Sequence, residues 1–260
     1  DCALSLAMRP FFEVFIPAAE KDFSKLPWVL EAVHRCIGAP VHLVVPALNG
    51  LPQEALRPGV QLHLDEEVLP YDRSELRYRP AWVFQQFLKL LSEVTADWYL
   101  AIDADVIINQ PLIPWDDDGR PLLYHSLRRP LIDQYRCFNR AILGYEARFH
   151  HSLLSECTLY CRSIIEQLLA SRGLSKESFW HQAARLINED CFPSEADFYG
   201  TYVLAEHPDL YRLRELKGVL GGRYESHRWT PAEIEAELSA MRSLNPDADL
   251  FYLHSWEGKA

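Results

Sequence analysis

Trp98-Tyr-Leu-Ala-Ile-Asp-Ala-Asp-Val-Ile-Ile108 sets two carboxylates, Asp103 and Asp105, between two apolar runs. Tyr99 to Ile102 are aromatic or mostly branched, the composition of a buried strand. A carboxylate inside such a run is costly to bury unless something compensates its charge. At spacing i and i+2 on a strand end, two of them can point the same way and hold one cation between them. The plainer alternative is a polar strand end or turn.

Just ahead of this run, a helix is predicted from Pro80, a favoured first-turn residue. Val83, Phe87, Leu90 and Val94 form its core stripe, and a second stripe carries Trp82, Gln85 or Gln86, and Lys89. That second stripe reads either as a solvated helix face or as a polar face turned to a ligand. Further upstream, Phe11–Pro17 reads as a strand, a helix follows from about Asp22 to Gly38, and Val41–Pro46 and Gln61–Leu64 read as two more strands. Val41–Pro46 is almost continuously apolar, as a parallel strand covered on both faces would be. Strand, helix, strand and strand in this order open an α/β domain with a parallel sheet.

Downstream, Trp115-Asp-Asp-Asp-Gly119 reads as a solvated turn and Leu122–His125 as a strand. Residues 126–151 hold Arg128, Arg129, Arg136, Arg140 and Arg148 among aromatics. They read as a variable segment whose arginines either salt-bridge to the excess of acids or face an anionic acceptor. Leu153–Tyr160 is an expected strand, Arg162–Ser171 and a segment from Ser175 are expected helices, and Ser194-Glu-Ala-Asp197 opens another. Thr230-Pro-Ala-Glu233 opens the last helix as a capping box, and Leu250–Trp256 is a final extended segment.

With 260 residues, 48% of them hydrophobic, the chain can bury a sizeable core. A net charge of −11 without a basic tract argues against a nucleic-acid partner, yet allows a phosphate ligand if a metal sits between. No apolar run is long enough to span a bilayer, and Asp1–Met8 has no basic n-region, so a cytoplasmic protein is expected, with peripheral contact at the inner membrane face left open. None of the six cysteines forms a Cys-x-x-Cys pair, so they read as buried thiols in a reducing compartment, with the Cys157/Cys161 spacing compatible with one helical face.

Taken in order, Trp98 to Pro111, Gln85, Gln86 and Lys89, Ser194-Glu-Ala-Asp-Phe-Tyr-Gly200 and Leu253-His-Ser-Trp256 resemble the metal-dependent glycosyltransferases of the GT-A fold, bacterial ones especially. The resemblance implies a single GT-A domain over 1–260, α/β with a mainly parallel sheet and a helical C-terminal part. Its 1–125 half would bind a nucleotide-sugar and its 126–260 half an acceptor. It implies transfer from a nucleotide-diphosphate-sugar, UDP-linked by first choice, to a hydroxyl of a glycan, lipid-linked glycan or small metabolite, in polysaccharide assembly. A divalent cation, manganese or magnesium, would clamp the diphosphate, with Asp105 as direct ligand, His254 completing the set, and Asp103 on metal or ribose.

Pro17 lies where ligands bind in parallel sheets, at a strand's carboxyl end, and Arg77, Gln85, Gln86 and Lys89 would face the donor. Glu195 is the favoured base for an inverting reaction, with Asp197 as the second candidate and a capping role as its alternative. Two other classes fit the same pair of aspartates. One is a haloacid-dehalogenase-type, magnesium-dependent phosphohydrolase with Asp103 as nucleophile and Asp105 as acid/base. The other is a non-catalytic nucleotide-sugar-binding module.

Overall fold

Nearly every residue of three strands is apolar, and the chain stacks them side by side where both faces are covered. The structure, a computed structural model, describes residues 9–125, 129–147, 149–221 and 226–254. In chain order its elements are β1 (Phe12–Pro17), α1 (Leu26–Cys36), β2 (Val41–Val45), β3 (Val60–Leu64), α2 (Asp65–Val68), α3 (Pro80–Leu91), β4 (Trp98–Ile102) and β5 (Val106–Ile108). They continue with β6 (Leu122–His125), α4 (Asp133–Leu143), β7 (Cys157–Cys161), α5 (Arg162–Ser171), α6 (Lys176–Leu186), α7 (Glu195–Glu206), β8 (Arg212–Glu215), β9 (Gly218–Leu220), α8 (Pro231–Leu244) and β10 (Leu250–Tyr252).

The central sheet has the order β3-β2-β1-β4-β7. β1 to β4 run parallel, and β7 pairs with β4 antiparallel. Side chains alternate across it with the period of two that a pleated strand imposes. Phe15, Val44, Tyr99, Ala101 and Tyr160 pack on one face, against apolar residues of α3 to α7. Val14, Ile16, Leu43, Val45, Leu100, Ile102 and Leu159 pack on the other, against α1, α8, β5 and β10. The expected mixed α/β architecture with a mainly parallel sheet is what the chain forms.

Several expectations change in detail. The first helix begins as a 3-10 turn at Glu20–Lys25, and α1 starts only at Leu26. Pro27 lies in its first turn, where its missing N–H leaves no intrahelical bond unmade. β4 ends at Ile102, with the aspartates just beyond the strand end as expected. The chain turns at Asp103, and Val106–Ile108 leaves for a second sheet, order β5-β10-β9, pairing antiparallel with β10. The strand expected from Leu153 starts at Cys157, because residues 152–156 are held in an irregular path described below. Cys157 and Cys161 therefore lie on a strand and not on a helix, and Cys36, Cys137, Cys157, Cys161 and Cys191 are all free thiols. The segment from 126 contains α4, which buries Tyr135, Phe138 and Ile142. Arg128, Arg148, Cys2 and Ser255–Trp256 lie outside the described residues. Among the described residues, no helix is long and apolar enough to cross a membrane.

Two local devices bring the late elements onto the sheet. Ser194 accepts a hydrogen bond from the Asp197 amide at 3.2 Å and caps α7. Gly200, one turn on, lets α7 lie so close to the 152–155 segment that an added Cβ would meet a Leu153 methyl at 2.0 Å. Thr230 and Glu233 form the expected capping box at α8.

Candidate active site

The turn after β4 is built from three backbone hydrogen bonds. The Asp103 amide donates to the Glu156 carbonyl at 3.1 Å, the Val106 amide to the Asp103 carbonyl at 3.1 Å, and the Leu253 amide to the Asp105 carbonyl at 2.8 Å. The two aspartates thus stand between the central and second sheets, at the carboxyl end of β4. That is the place where parallel α/β sheets bind ligands.

Asp103 meets a buried cation. Lys89, 2% exposed on α3, donates to Asp103 and, at 2.7 Å, to Glu195 Oε1 at the start of α7. The Lys89 carbonyl accepts from Tyr99 OH at 2.6 Å, which ties this turn of α3 to β4. Gln86, one turn earlier, accepts from the Glu195 amide at 3.3 Å. The polar stripe of α3 is therefore an interior face; the solvated reading of Gln86 and Lys89 is overturned by the carboxylates opposite them. Burial alone would discharge Lys89, but Asp103 and Glu195 hold its proton on. One ammonium between two carboxylates leaves negative charge in excess, and burial raises the pKa of both Asp103 and Glu195. Asp103 keeps 30% of its side chain exposed, so this cluster opens to solvent at Asp103. Glu195 Oε2 is buried and has no hydrogen-bond partner.

Asp105 meets an imidazole instead. His254 Nδ1 lies 3.3 Å from Asp105 Oδ2, brought there by the β5–β10 pairing. His254 Nε2 lies 3.7 Å from Glu156 Oε1, which also accepts from Arg129 Nη1 at 2.7 Å. The Tyr252 ring stacks on His254 with centroids 5.5 Å apart. Burial works to lower the His254 pKa, but the hydrogen bond with Asp105 and the charge of Glu156 outweigh it and raise it. For Asp105 burial works upward, and the same His254 contact brings the net shift down.

The remaining expected residues separate by position. Asp197 is fully buried behind Glu195, and its oxygens accept from Ser152 Oγ at 2.7 Å and the Leu153 amide at 2.6 Å. Burial pushes its carboxyl up to about 6 against those hydrogen bonds. With both oxygens engaged, it holds the irregular 152–155 path and is not turned toward the aspartates. Pro17 ends β1, in register with Val44 of β2, and Gln85 is half-buried. Arg77 is exposed and lines a separate open groove of about 680 Å³ with Glu75, Tyr78, Arg185 and Asn188, a lining that includes neither aspartate. Glu156 and Arg129 were not expected at the site as a pair. Glu156 lies in an irregular stretch without periodicity, and its only sequence signal is a lone acid just before an apolar strand.

A carboxylate and an imidazole side by side suit a borderline divalent cation such as manganese, and carboxylate oxygens alone suit magnesium. Among the described residues no three His, Cys, Asp or Glu side chains gather as a closed metal cage. Asp105 and His254 fit a cation that takes one or two ligands from protein and the rest from phosphates and water.

No protein-family model matches the chain, and no curated protein matches it. Among solved structures it is similar to the bifunctional glycosyltransferase WbbM in its apo form, at 11% identity and a TM-score of 0.47, over 99% of this chain and 47% of that one. It is also similar to the galactosyltransferase LgtC in complex with donor and acceptor sugar analogues, at 15% identity and a TM-score of 0.47, over 95% of this chain and 88% of that one. The chain spans about half the length of WbbM.

Proposed function

We propose that this chain is a metal-assisted glycosyltransferase of GT-A type. It would move a sugar from a nucleotide-diphosphate donor, UDP-linked by first choice, to a hydroxyl of a glycan, lipid-linked glycan or small metabolite. The observation that carries the reading is the split of Asp103-Ala-Asp105 at the carboxyl end of β4: one aspartate lies on a buried lysine–glutamate pair, the other on a histidine. A bound divalent cation would neutralise the charge that grows on a departing diphosphate.

The roles of the residues follow from their surroundings. Asp105 and His254 would hold the cation. Asp103, partly exposed and fixed by Lys89, would accept hydrogen bonds from the donor, on ribose or sugar. Lys89 holds Asp103 and Glu195 in one arrangement before any substrate arrives, so little reorganisation is left for the reaction. Glu195 has a carboxyl raised by burial and one unpaired oxygen, the properties of a general base that takes the acceptor proton. Asp197 keeps to a structural role. The donor would lie over residues of 1–125 and the acceptor over the second half, which supplies Glu195 and His254 to the same centre.

A thermal-shift panel of nucleotide-sugars, with and without manganese, tests this. One nucleotide class should raise the melting temperature only when metal is present. Stabilisation of roughly 3 kcal/mol is expected at a hundredfold excess over Kd. Stabilisation by simple phosphate esters with magnesium, and none by any nucleotide-sugar, would replace the reading with a phosphohydrolase. A metal-dependent shift without donor hydrolysis or transfer would leave a binding module.

A further inference from the structure

Glu156, one residue before β7, has no part in the roles given above, yet it carries two separate costs. Its backbone is left-handed, with φ +56°, a conformation that residues with a Cβ seldom adopt. Its side chain is 8% exposed, and Oε2 is buried without a hydrogen-bond partner. A buried carboxylate oxygen left without a donor is unfavourable. Such costs persist where the surroundings over-determine the residue, and they cluster at working sites.

The residue touches both arms of the site. Its carbonyl accepts from the Asp103 amide at 3.1 Å. Its carboxylate lies 3.7 Å from His254 Nε2 and is anchored by Arg129 at 2.7 Å. Arg129 in turn lies over the Tyr252 ring, 5.6 Å from its centre, and that ring stacks on His254. Glu156 is therefore a strut between the turn that carries Asp103 and the imidazole that faces Asp105. A neutral imidazole has one N–H and one lone pair, and a histidine that binds a metal through one nitrogen presents its other N–H to a carboxylate or carbonyl.

We propose that Glu156 is a positioning residue for a divalent cation at Asp105 and His254: its carbonyl fixes the turn that carries Asp103, and its carboxylate, anchored by Arg129, lies beside His254 Nε2 and keeps Nδ1 turned to Asp105, where the cation would sit. This rests on the metal-assisted reading of the site. The left-handed backbone serves the same end, because it turns the carbonyl to Asp103 while the side chain faces His254.

The test is manganese binding by the full chain, read from the loss of the free-manganese electron paramagnetic resonance signal, with and without UDP. Wild type should bind. Glu156→Gln, close in size but uncharged, should weaken binding about 10-fold, and Glu156→Gly by up to about 100-fold. Glycine tolerates the left-handed backbone, so that variant removes the carboxylate while leaving the strand end able to form. A merely structural role would shift melting temperature and leave manganese affinity, measured well below that temperature, unchanged. Wild-type affinity in both variants overturns the role of Glu156 alone. A wild-type chain that takes up no manganese, even with UDP, overturns the metal reading and this inference together.

Discussion

Asp103 and Asp105 are two residues apart, yet they sit in different chemical settings. Asp103 faces α3 and α7, where a fixed ammonium is shared with Glu195. Asp105 faces the end of β10, where its partner is an imidazole, a side chain of the type that can bind a metal. The first arrangement is an ion cluster fixed by Lys89 that opens to solvent at Asp103. The second is a carboxylate–imidazole pair, which under the proposed reading would hold the cation. The strand end thus joins a pre-set ion cluster to a pair of candidate ligands, and the turn between them is what keeps the two apart.

Substitutions on each side sharpen the contrast, here ordered by their effect on stability. Lys89→Met should cost the most, about 3–5 kcal/mol in chemical unfolding, because Asp103 and Glu195 lose the charge that compensates them. A loss below about 1 kcal/mol would mean that the cluster is solvated and that the two sides do not differ. Asp197→Asn comes next. The Asp197 carboxyl stands at about 6 in the fold against an ordinary 3.8. A raised folded pKa favours the fold below the ordinary value, and that advantage is lost as pH rises from about 4 through 6. Relative to wild type, the Asn variant should therefore gain up to about 3 kcal/mol across that window, with transfer retained. A variant that tracks wild type at every pH, or that loses transfer, would move Asp197 into the chemistry. Asp105→Ala should be mildest for the fold, within about 1 kcal/mol, while metal-dependent donor hydrolysis disappears. Full activity in that variant, or activity indifferent to a chelator, would sink the metal role of the Asp105 side.

The sheet was legible because β1, β2 and β4 are buried on both faces and show it as unbroken apolar runs. The starts of α7 and α8 were legible because Ser194 and Thr230 satisfy first-turn amides in a way that has a local signature. Two late strands were not: all four residues of β8, which pairs with β6, are exposed, and β9 of the second sheet is only three residues long, so neither carries a pattern to read. The site was half legible. Helical spacing put Gln86 and Lys89 on one face, but spacing does not tell whether water or carboxylates lie opposite; residues more than a hundred positions later decide that. Arg77 shows the converse. An arginine near an expected helix start looks like a phosphate contact, yet the loop that carries it faces another groove. Glu156 lay beyond sequence reasoning because its importance comes from a backbone conformation and from partners on two other elements.

The contact between His254 and Asp105 spans 149 positions of chain. Closing a loop of that length costs about 4 kcal/mol in chain entropy, more than one imidazole–carboxylate contact returns in a partly solvated setting. The contact is therefore held by the β5–β10 pairing and by the apolar packing of α1 and α8 around it. The Lys89–Glu195 contact closes 106 positions at a similar cost, so neither arm of the strand end exists apart from the packed core, and both are lost together when the core opens.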